Sequence, residues 1–136
     1  MNNIFSVSRS AASVDLALLI ARVGIGVLML VHGISKIPML SQSPIQFYDF
    51  MGLGDQVSLW LALFAEIGCS ILIIFGFATR LAVIPLIITM FVAVFIIHAE
   101  DPFVKQEMGL HYILIYVMLL LTGAGKYSID YLISKR

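Results

Sequence analysis

The sequence predicts an all-α integral membrane protein, a four-helix bundle whose helices each cross the lipid bilayer. Of its 136 residues, 61% are hydrophobic and only 12% are charged, a balance that a soluble domain with a hydrated surface could not carry. A crossing needs roughly 20 mainly apolar residues, because helices rise about 1.5 Å per residue. Four stretches meet this need, at about 16–35, 57–77, 81–99 and 107–123. Helices also satisfy their own backbone hydrogen bonds, as lipid requires.

Each predicted helix has few charges, and their positions differ from one helix to the next. The first contains Arg22 and His32, and the only charge in the second is Glu66. The third has no charge and ends at His98, whereas the fourth is shorter and must begin near Glu107 to cross. Ionisable groups at membrane depth are costly, so these residues are the first candidates for function.

The connection between the first two helices, residues 37–56, is the one long loop. In its SPIQFYDFMG segment, Ser43 can cap, Pro44 can start and Gly52 can stop a short helix. Aromatic side chains suit the membrane interface, and the segment has three of them: Phe47, Tyr48 and Phe50. We therefore predict a short interfacial helix in this first outer loop.

The composition of the chain, including its two terminal segments, gives no indication of a second domain. Residues 1–13 are polar, and the apolar run that follows is too long for a signal peptide, so we keep them in the mature protein. At the other end, glycines at 123 and 125 break the fourth helix, and Ser128 can cap a short terminal helix. No linker composition interrupts the chain, which predicts a single membrane domain over residues 1–136.

The basic residues predict the orientation of the bundle. Loops that face the cytoplasm carry an excess of Lys and Arg. With the N-terminus inside, only Lys36 and Lys105 lie on the outer side. The inner side then collects Arg9, Arg80, Lys126, Lys135 and Arg136. Both termini are therefore predicted to be cytoplasmic.

Arg22 and Glu66 are predicted to lie at similar depths on antiparallel helices and to form a buried ion pair. Gly26 and Gly33 follow Arg22 along one helix face, and small residues such as these let helices approach closely. Three interpretations stay open. The pair specifies helix packing, Arg22 extends to the cytoplasmic headgroups instead, or Glu66 titrates as part of a proton or substrate site.

Three histidines fall near the outer ends of their helices: His32, His98 and His111. Lys36 lies four residues after His32, and Glu107 lies four residues before His111, so each pair shares a helix face. The five side chains are candidates for a polar pocket that hydrogen-bonds a quinone headgroup. A metal site or bis-histidine haem is the lesser alternative, because no ligand-spacing motif is complete, and no metal is predicted. Tyr112 and Tyr116 are interpreted as packing residues.

Taken together, these residues resemble the DoxX family of small four-helix membrane proteins. The similarity rests on Arg22 with HGISK (32–36), on FYDFMGLG (47–54), and on AEIGCSILIIFGFATRLA (65–82). His98, Glu107 and GAGKYSID (123–130) extend it along almost the whole chain. The resemblance implies a multi-pass protein of the bacterial inner (plasma) membrane, in a family associated with quinone-linked oxidoreductase and redox-stress systems.

Three functions follow from the residues and the resemblance. The first is a membrane subunit or anchor of a quinone-linked oxidoreductase, with quinone as the candidate ligand. Its electrons come from a soluble or membrane partner, because the chain has no flavin or dinucleotide fingerprint. The second is a small proton-coupled carrier that uses Glu66, in a protomer that forms a homo-oligomer. The third is a non-catalytic assembly or structural protein. A net charge of zero gives no reason to expect nucleic-acid binding.

Overall fold

The computed structural model describes residues 4–5, 7, 10–49 and 51–135. Arg9, Phe50 and Arg136, which enter the predictions above, lie outside the described residues. The described chain is helical and contains no strand. Its α-helices are α1 (Ala11–Ile34), α2 (Asp55–Leu63), α3 (Ser70–Phe75), α4 (Thr79–Val92), α5 (Phe103–Thr122) and α6 (Ile129–Ser134). A first π segment (Phe64–Cys69) joins α2 to α3, and a second (Ala93–Ile97) continues α4.

The four predicted crossings are confirmed. The first span contains α1, the second runs over Asp55–Phe75, the third over Thr79–Ile97, and the fourth is α5. All four are long and apolar enough to cross a membrane. The first span begins earlier than predicted, at Ala11, where the Ser10 hydroxyl accepts a 3.5 Å hydrogen bond from the Ser13 N–H. The fourth also begins earlier, at Phe103 after Pro102.

The loop between the first two spans does contain a short helix, but this helix lies in a different segment from the one predicted. A 3₁₀-helix covers Ile37–Ser41, with proline in its first turn. The described residues of the SPIQFYDFMG segment are not helical. Met51, Gly52 and Gly54 have positive φ angles, which no right-handed helix accommodates. The Asp49 carboxylate closes this turn by accepting a 2.8 Å bond from the Gly54 N–H.

Small residues bring the first span close to the second, as their shared face predicted. A Cβ atom added at Gly33 would lie 2.9 Å from Glu66 Cβ, and one added at Gly26 would lie 3.2 Å from the Ser70 carbonyl oxygen. On the other side of the bundle, Gly109 of α5 packs against Val94 in the same way. The apolar core between the spans includes Met29, Ile73, Val83, Leu86, Tyr116 and Leu119.

The C-terminal segment folds back onto the turn between the second and third spans. The predicted helix break at Gly123 and the cap at Ser128 are confirmed, since the Ser128 hydroxyl accepts a 3.2 Å bond from the Tyr131 N–H. Asp130 caps α4 by accepting bonds from the Ala78 N–H at 2.7 Å and the Thr79 N–H at 2.9 Å. Gly76 has a φ angle of 70° and packs directly against Ser128. A side chain at position 76 would collide with Ser128. The C-terminal segment (123–130) and the turn between the second and third spans, which both contribute to the family resemblance, therefore pack against and cap each other.

Candidate functional site

The guanidinium of Arg22 is buried at the end of the bundle where the C-terminal segment docks, which we call the Arg22 end. The residue is 2% exposed. Its Nη1 donates to the Ala124 carbonyl and its Nη2 to the Tyr127 carbonyl, each at 2.6 Å. Both bonds are charge-assisted, which makes them stronger than bonds between neutral groups. Arg22 therefore ties the first span to the C-terminal segment across about a hundred residues of sequence.

Glu66 is fully buried farther along the bundle, at what we call the Glu66 end. The Lys36 ammonium donates to both of its carboxylate oxygens, at 2.6 and 2.8 Å, and His32 Nε2 lies 3.5 Å from Oε1. The three ionisable side chains form one cluster around the buried carboxylate, which we call the Glu66 triad. Lys36 and His32 remain partly exposed, so the triad extends from the protein interior to the protein surface.

The predicted ion pair between Arg22 and Glu66 was therefore wrong, although both residues are buried as predicted. Gly33, not Arg22, packs against Glu66. Arg22 lies eleven residues before Gly33 on the same helix. At 1.5 Å per residue this separates the two charges by about 16 Å along the bundle. Lys36, three residues beyond Gly33, reaches the carboxylate instead.

A cavity of about 500 Å³ opens beside the Glu66 triad. Its walls come from the end of the first span, the loop between the first two spans, and the second and third spans, and most of its lining is apolar. The polar side chains that these spans contribute to the walls are His32, Lys36, Ser58, Thr89 and His98. Phe47 and Tyr48 of the loop cover one side, with Lys36 Nζ 5.9 Å from the centre of the Phe47 ring. Such a site suits a largely apolar molecule with a few hydrogen-bonding groups.

Both π segments contribute to the walls of this cavity. Phe64 and Ala65 come from the first π segment, which also contains Glu66, while Ala93 and Ile97 come from the second. A π segment inserts one residue into the helical hydrogen-bond ladder, and such insertions occur frequently at functional sites. Sequence reasoning missed both segments. The apolar composition here is the same as in the adjoining α-helix, so no signal marks them.

Of the five predicted pocket residues, three line the cavity and two do not. His32, Lys36 and His98 are in its walls, whereas Glu107 and His111 are absent from them. Glu107 and His111 form a pair at 3.9 Å on the exposed face of α5. The reason is the helical rotation of about 100° per residue. Gly109 packs against the third span, so residues two positions away on either side point outward.

The loop after the third span fixes His98 at the cavity. His98 Nδ1 lies 2.7 Å from Asp101 Oδ2, and the Gln106 side chain donates a 2.6 Å bond to the His98 carbonyl. The hydrogen bond with His98 lowers the pKa of the exposed Asp101 carboxyl. Within the described part of the chain, no three His, Cys, Asp or Glu side chains converge as a metal site would require.

Comparisons with known proteins agree with this architecture. Residues 17–99 match the DoxX family. The chain is 29% identical over 119 residues to a Bacillus subtilis protein named "Putative oxidoreductase CatD", covering 87% of each protein. It is 39% identical over 92 residues to an uncharacterized protein of Haemophilus influenzae, covering 65% of this chain and 61% of that protein. No solved structure matches. Because the DoxX match covers more than half of the chain, this multi-pass membrane protein belongs to the DoxX family.

Proposed function

We propose that this protein is a membrane subunit of a quinone-linked oxidoreductase system and that it binds a quinone in the cavity at the Glu66 end. The observation that carries the proposal is the combination of an apolar cavity of about 500 Å³ with hydrogen-bond donors at its wall. The name of the Bacillus subtilis relative supports the oxidoreductase class. The protein contributes the binding site and the membrane anchor, while a partner dehydrogenase supplies the electrons.

The lining of the cavity fits the chemistry of a quinone headgroup. A quinone has a flat ring and two carbonyl oxygens that accept hydrogen bonds, and its conversion to quinol consumes two electrons and two protons. Lys36, His32 and His98 can donate to the carbonyl oxygens. The loop aromatics Phe47 and Tyr48 offer surfaces for stacking against the ring. The Glu66 triad supplies ionisable groups beside the oxygens that must be protonated.

The proposal includes a location and an orientation. We place the protein in the bacterial inner membrane with both termini cytoplasmic, because Arg80, Lys126 and Lys135 follow the inner helix ends. The outer side then has only Lys36 and Lys105, and Lys36 is bound by Glu66. The cavity accordingly opens toward the outer leaflet, within reach of quinone dissolved in the membrane.

A proton-coupled carrier is the second candidate, and one observation favours it. Glu66 is buried without exposure and is tied to two further ionisable groups, an arrangement common in proton-coupled transporters. In that case Glu66→Gln should abolish a proton-coupled substrate flux in liposomes while the variant still folds. Under the quinone proposal, Glu66→Gln leaves quinone bound, because Glu66 does not itself line the cavity.

Photolabelling tests the quinone proposal directly. The purified protein in lipid nanodiscs is irradiated with an azido-ubiquinone analogue, and the modified residues are located by mass spectrometry. We expect labels on cavity residues that an excess of decylubiquinone prevents. His98→Leu should weaken the competition about tenfold, the equivalent of one lost hydrogen bond. His111→Leu is the matched control, because this histidine lies on the exposed face of α5. Labelling confined to lipid-facing residues, or equal effects of the two substitutions, would contradict the proposal.

A further inference from the structure

Four buried polar atoms have no hydrogen-bond partner among the described residues. They are Arg22 Nε, Ser70 Oγ, Thr79 Oγ1 and Tyr116 Oη, and each belongs to a side chain that is at most 2% exposed. A buried polar group that is left unpaired loses its hydration without compensation and destabilises the fold. Four unpaired buried atoms in so small a bundle need a physical explanation. Ordered water is the usual hydrogen-bond partner of such atoms.

These four residues, which we call the polar column, are distributed along the length of the bundle, from the Arg22 end toward the Glu66 end. Ser70 follows Glu66 by four residues, so it lies one turn closer to the Arg22 end on the same helix face. Tyr116 of the fourth span, six residues before the end of α5, lies close enough to interact electrostatically with Glu66 and with Cys69, the residue before Ser70. Its ring is stacked on that of Tyr112, with the centres 6.0 Å apart. Thr79 and Arg22 lie at the Arg22 end, where the Arg22 Cζ is 3.1 Å from a Cβ atom added at Gly76.

Each end of the polar column meets an opening. Thr79 also lines a wide groove of about 820 Å³ at the Arg22 end, together with Asp15, Asp130 and Lys126. At the other end, the column reaches the Glu66 triad, whose His32 and Lys36 line the cavity. The unpaired hydroxyls are therefore distributed along the bundle between the groove at the Arg22 end and the Glu66 triad beside the cavity.

The geometry points to a chain of internal water molecules held by Ser70, Tyr116 and Thr79, through which Glu66 exchanges protons with the groove at the Arg22 end. A hydroxyl can accept a proton at its oxygen from one water and release its own to the next, so each transfer leaves the residue unchanged. The route passes beside Arg22 and not through it. The Arg22 guanidinium is held by two carbonyls, and the carboxylate of Asp130, which caps α4, offsets its charge.

This inference adds a proton supply to the proposed quinone site, and that link rests on the proposed function. In the proposed orientation, the protons that accompany quinone reduction would come from the cytoplasmic side, although the cavity opens toward the outer leaflet. The water chain itself requires only Ser70, Tyr116, Thr79 and the two openings, whether or not quinone binds. The two proposals can therefore fail separately.

Proton flux in liposomes tests the water chain. The purified protein is reconstituted with pyranine inside, and a potassium diffusion potential is applied with valinomycin. We expect a protein-dependent acidification that Tyr116→Phe and Ser70→Ala each reduce at least tenfold. Two controls remove hydroxyls outside the column. Thr122→Val deletes a hydroxyl that bonds only to α5 and its end, and Tyr127→Phe leaves the carbonyl that binds Arg22 intact. Both should stay within twofold of the native protein. Equal flux in Tyr116→Phe and native protein, or none above protein-free liposomes, overturns the inference.

X-ray hydroxyl-radical footprinting of the native protein gives a second measurement that requires no variant to fold. Radicals form from water, so a buried tyrosine is modified only where water reaches it. We expect Tyr116 to be modified at a rate comparable to the exposed Tyr127. An unmodified Tyr116 overturns the inference. Azido-quinone labelling that persists in Tyr116→Phe, with the flux lost, supports the column, whereas flux without quinone labelling removes only the proposed function.

Discussion

The two ends of the bundle each bury a charged side chain, but they surround it with different partners. Arg22 binds two backbone carbonyls of a folded turn, and the neighbouring Gly76 is packed against Ser128. Glu66 binds two side chains, both of them ionisable and both lining a cavity. Carbonyls cannot change their protonation state, whereas lysine and histidine can.

The difference separates a structural role from a functional one. At the Arg22 end, both hydrogen bonds of the guanidinium join the first span to the C-terminal segment. At the Glu66 end, the charged carboxylate belongs to one π segment, and residues of both π segments line the neighbouring cavity. We therefore expect substitutions at the Arg22 end to act on stability alone, and those at the Glu66 end to act on binding and proton transfer as well as on stability.

The largest expected effect is that of Arg22→Met. It removes two charge-assisted hydrogen bonds and leaves the Ala124 and Tyr127 carbonyls unpaired, so the free energy of unfolding should fall by about 3–5 kcal/mol. Unfolding in mixed micelles with increasing SDS measures the loss. Arg22→Lys should recover little of it, because one ammonium cannot reproduce the fork of two donors.

Limited proteolysis shows whether that loss is located at the Arg22 end. Trypsin should cleave after Lys126 faster in Arg22→Met than in the native protein, because the C-terminal segment is released. If the variant unfolds at the native SDS concentration and Lys126 is equally protected, the two carbonyl bonds do not hold this end together.

Lys36→Met should give the next largest effect. It leaves the buried Glu66 carboxylate with His32 alone, at 3.5 Å, and the loss of a partner from a buried ion pair costs about 3 kcal/mol. Glu66→Gln should cost less, because the partly exposed Lys36 can turn toward water.

The double variant Lys36→Met with Glu66→Gln sharpens this test. It removes both charges, so it should be more stable than Lys36→Met alone, with a coupling energy of about 1–3 kcal/mol in the double-mutant cycle. Strict additivity of the two single losses would show that the pair contributes nothing as a pair, and the Glu66 end would then differ from the Arg22 end only in its cavity.

Much of the fold could be predicted from the sequence, because lipid permits few solutions. Apolar length gave the four spans, and the cost of burying a charge marked Arg22 and Glu66 as interior residues. Their partners could not be predicted, since partner choice depends on the register of two helices to within about one turn. The first span begins at Ala11, and neither end of it carries an unambiguous signal. Gly33 was the most informative residue for predicting the partner of Glu66, because a small residue marks the level at which the second span approaches the first.

The candidate site was predicted in part for the same reason. Helical depth placed His32, Lys36 and His98 at one end, where they do line the cavity. Depth says nothing about rotation, so Glu107 and His111 were grouped with them although their face of α5 points away from the bundle. Two π segments also contribute to the walls of the cavity, and a π segment alters backbone hydrogen bonds without a side-chain composition that would mark it in the sequence.

The smallest expected effects compare one aspartate at each end. Asp130→Ala removes the carboxylate that accepts hydrogen bonds from two N–H groups at the start of α4, which should lower the free energy of unfolding by about 1–2 kcal/mol, as for other lost helix caps.

Asp101→Ala should lower the free energy of unfolding by less, because the Asp101 side chain is more than a third exposed and its carboxylate bonds to His98. Its contribution should also depend on pH. The pKa of Asp101 is lowered in the folded protein, so its stabilisation is present above the unfolded pKa and is lost as the pH falls through the folded pKa. The stability difference between native protein and Asp101→Ala should therefore shrink on acidification. If it grew instead, the His98 contact would not favour the charged carboxylate, and the loop at the Glu66 end would have to be held in another way.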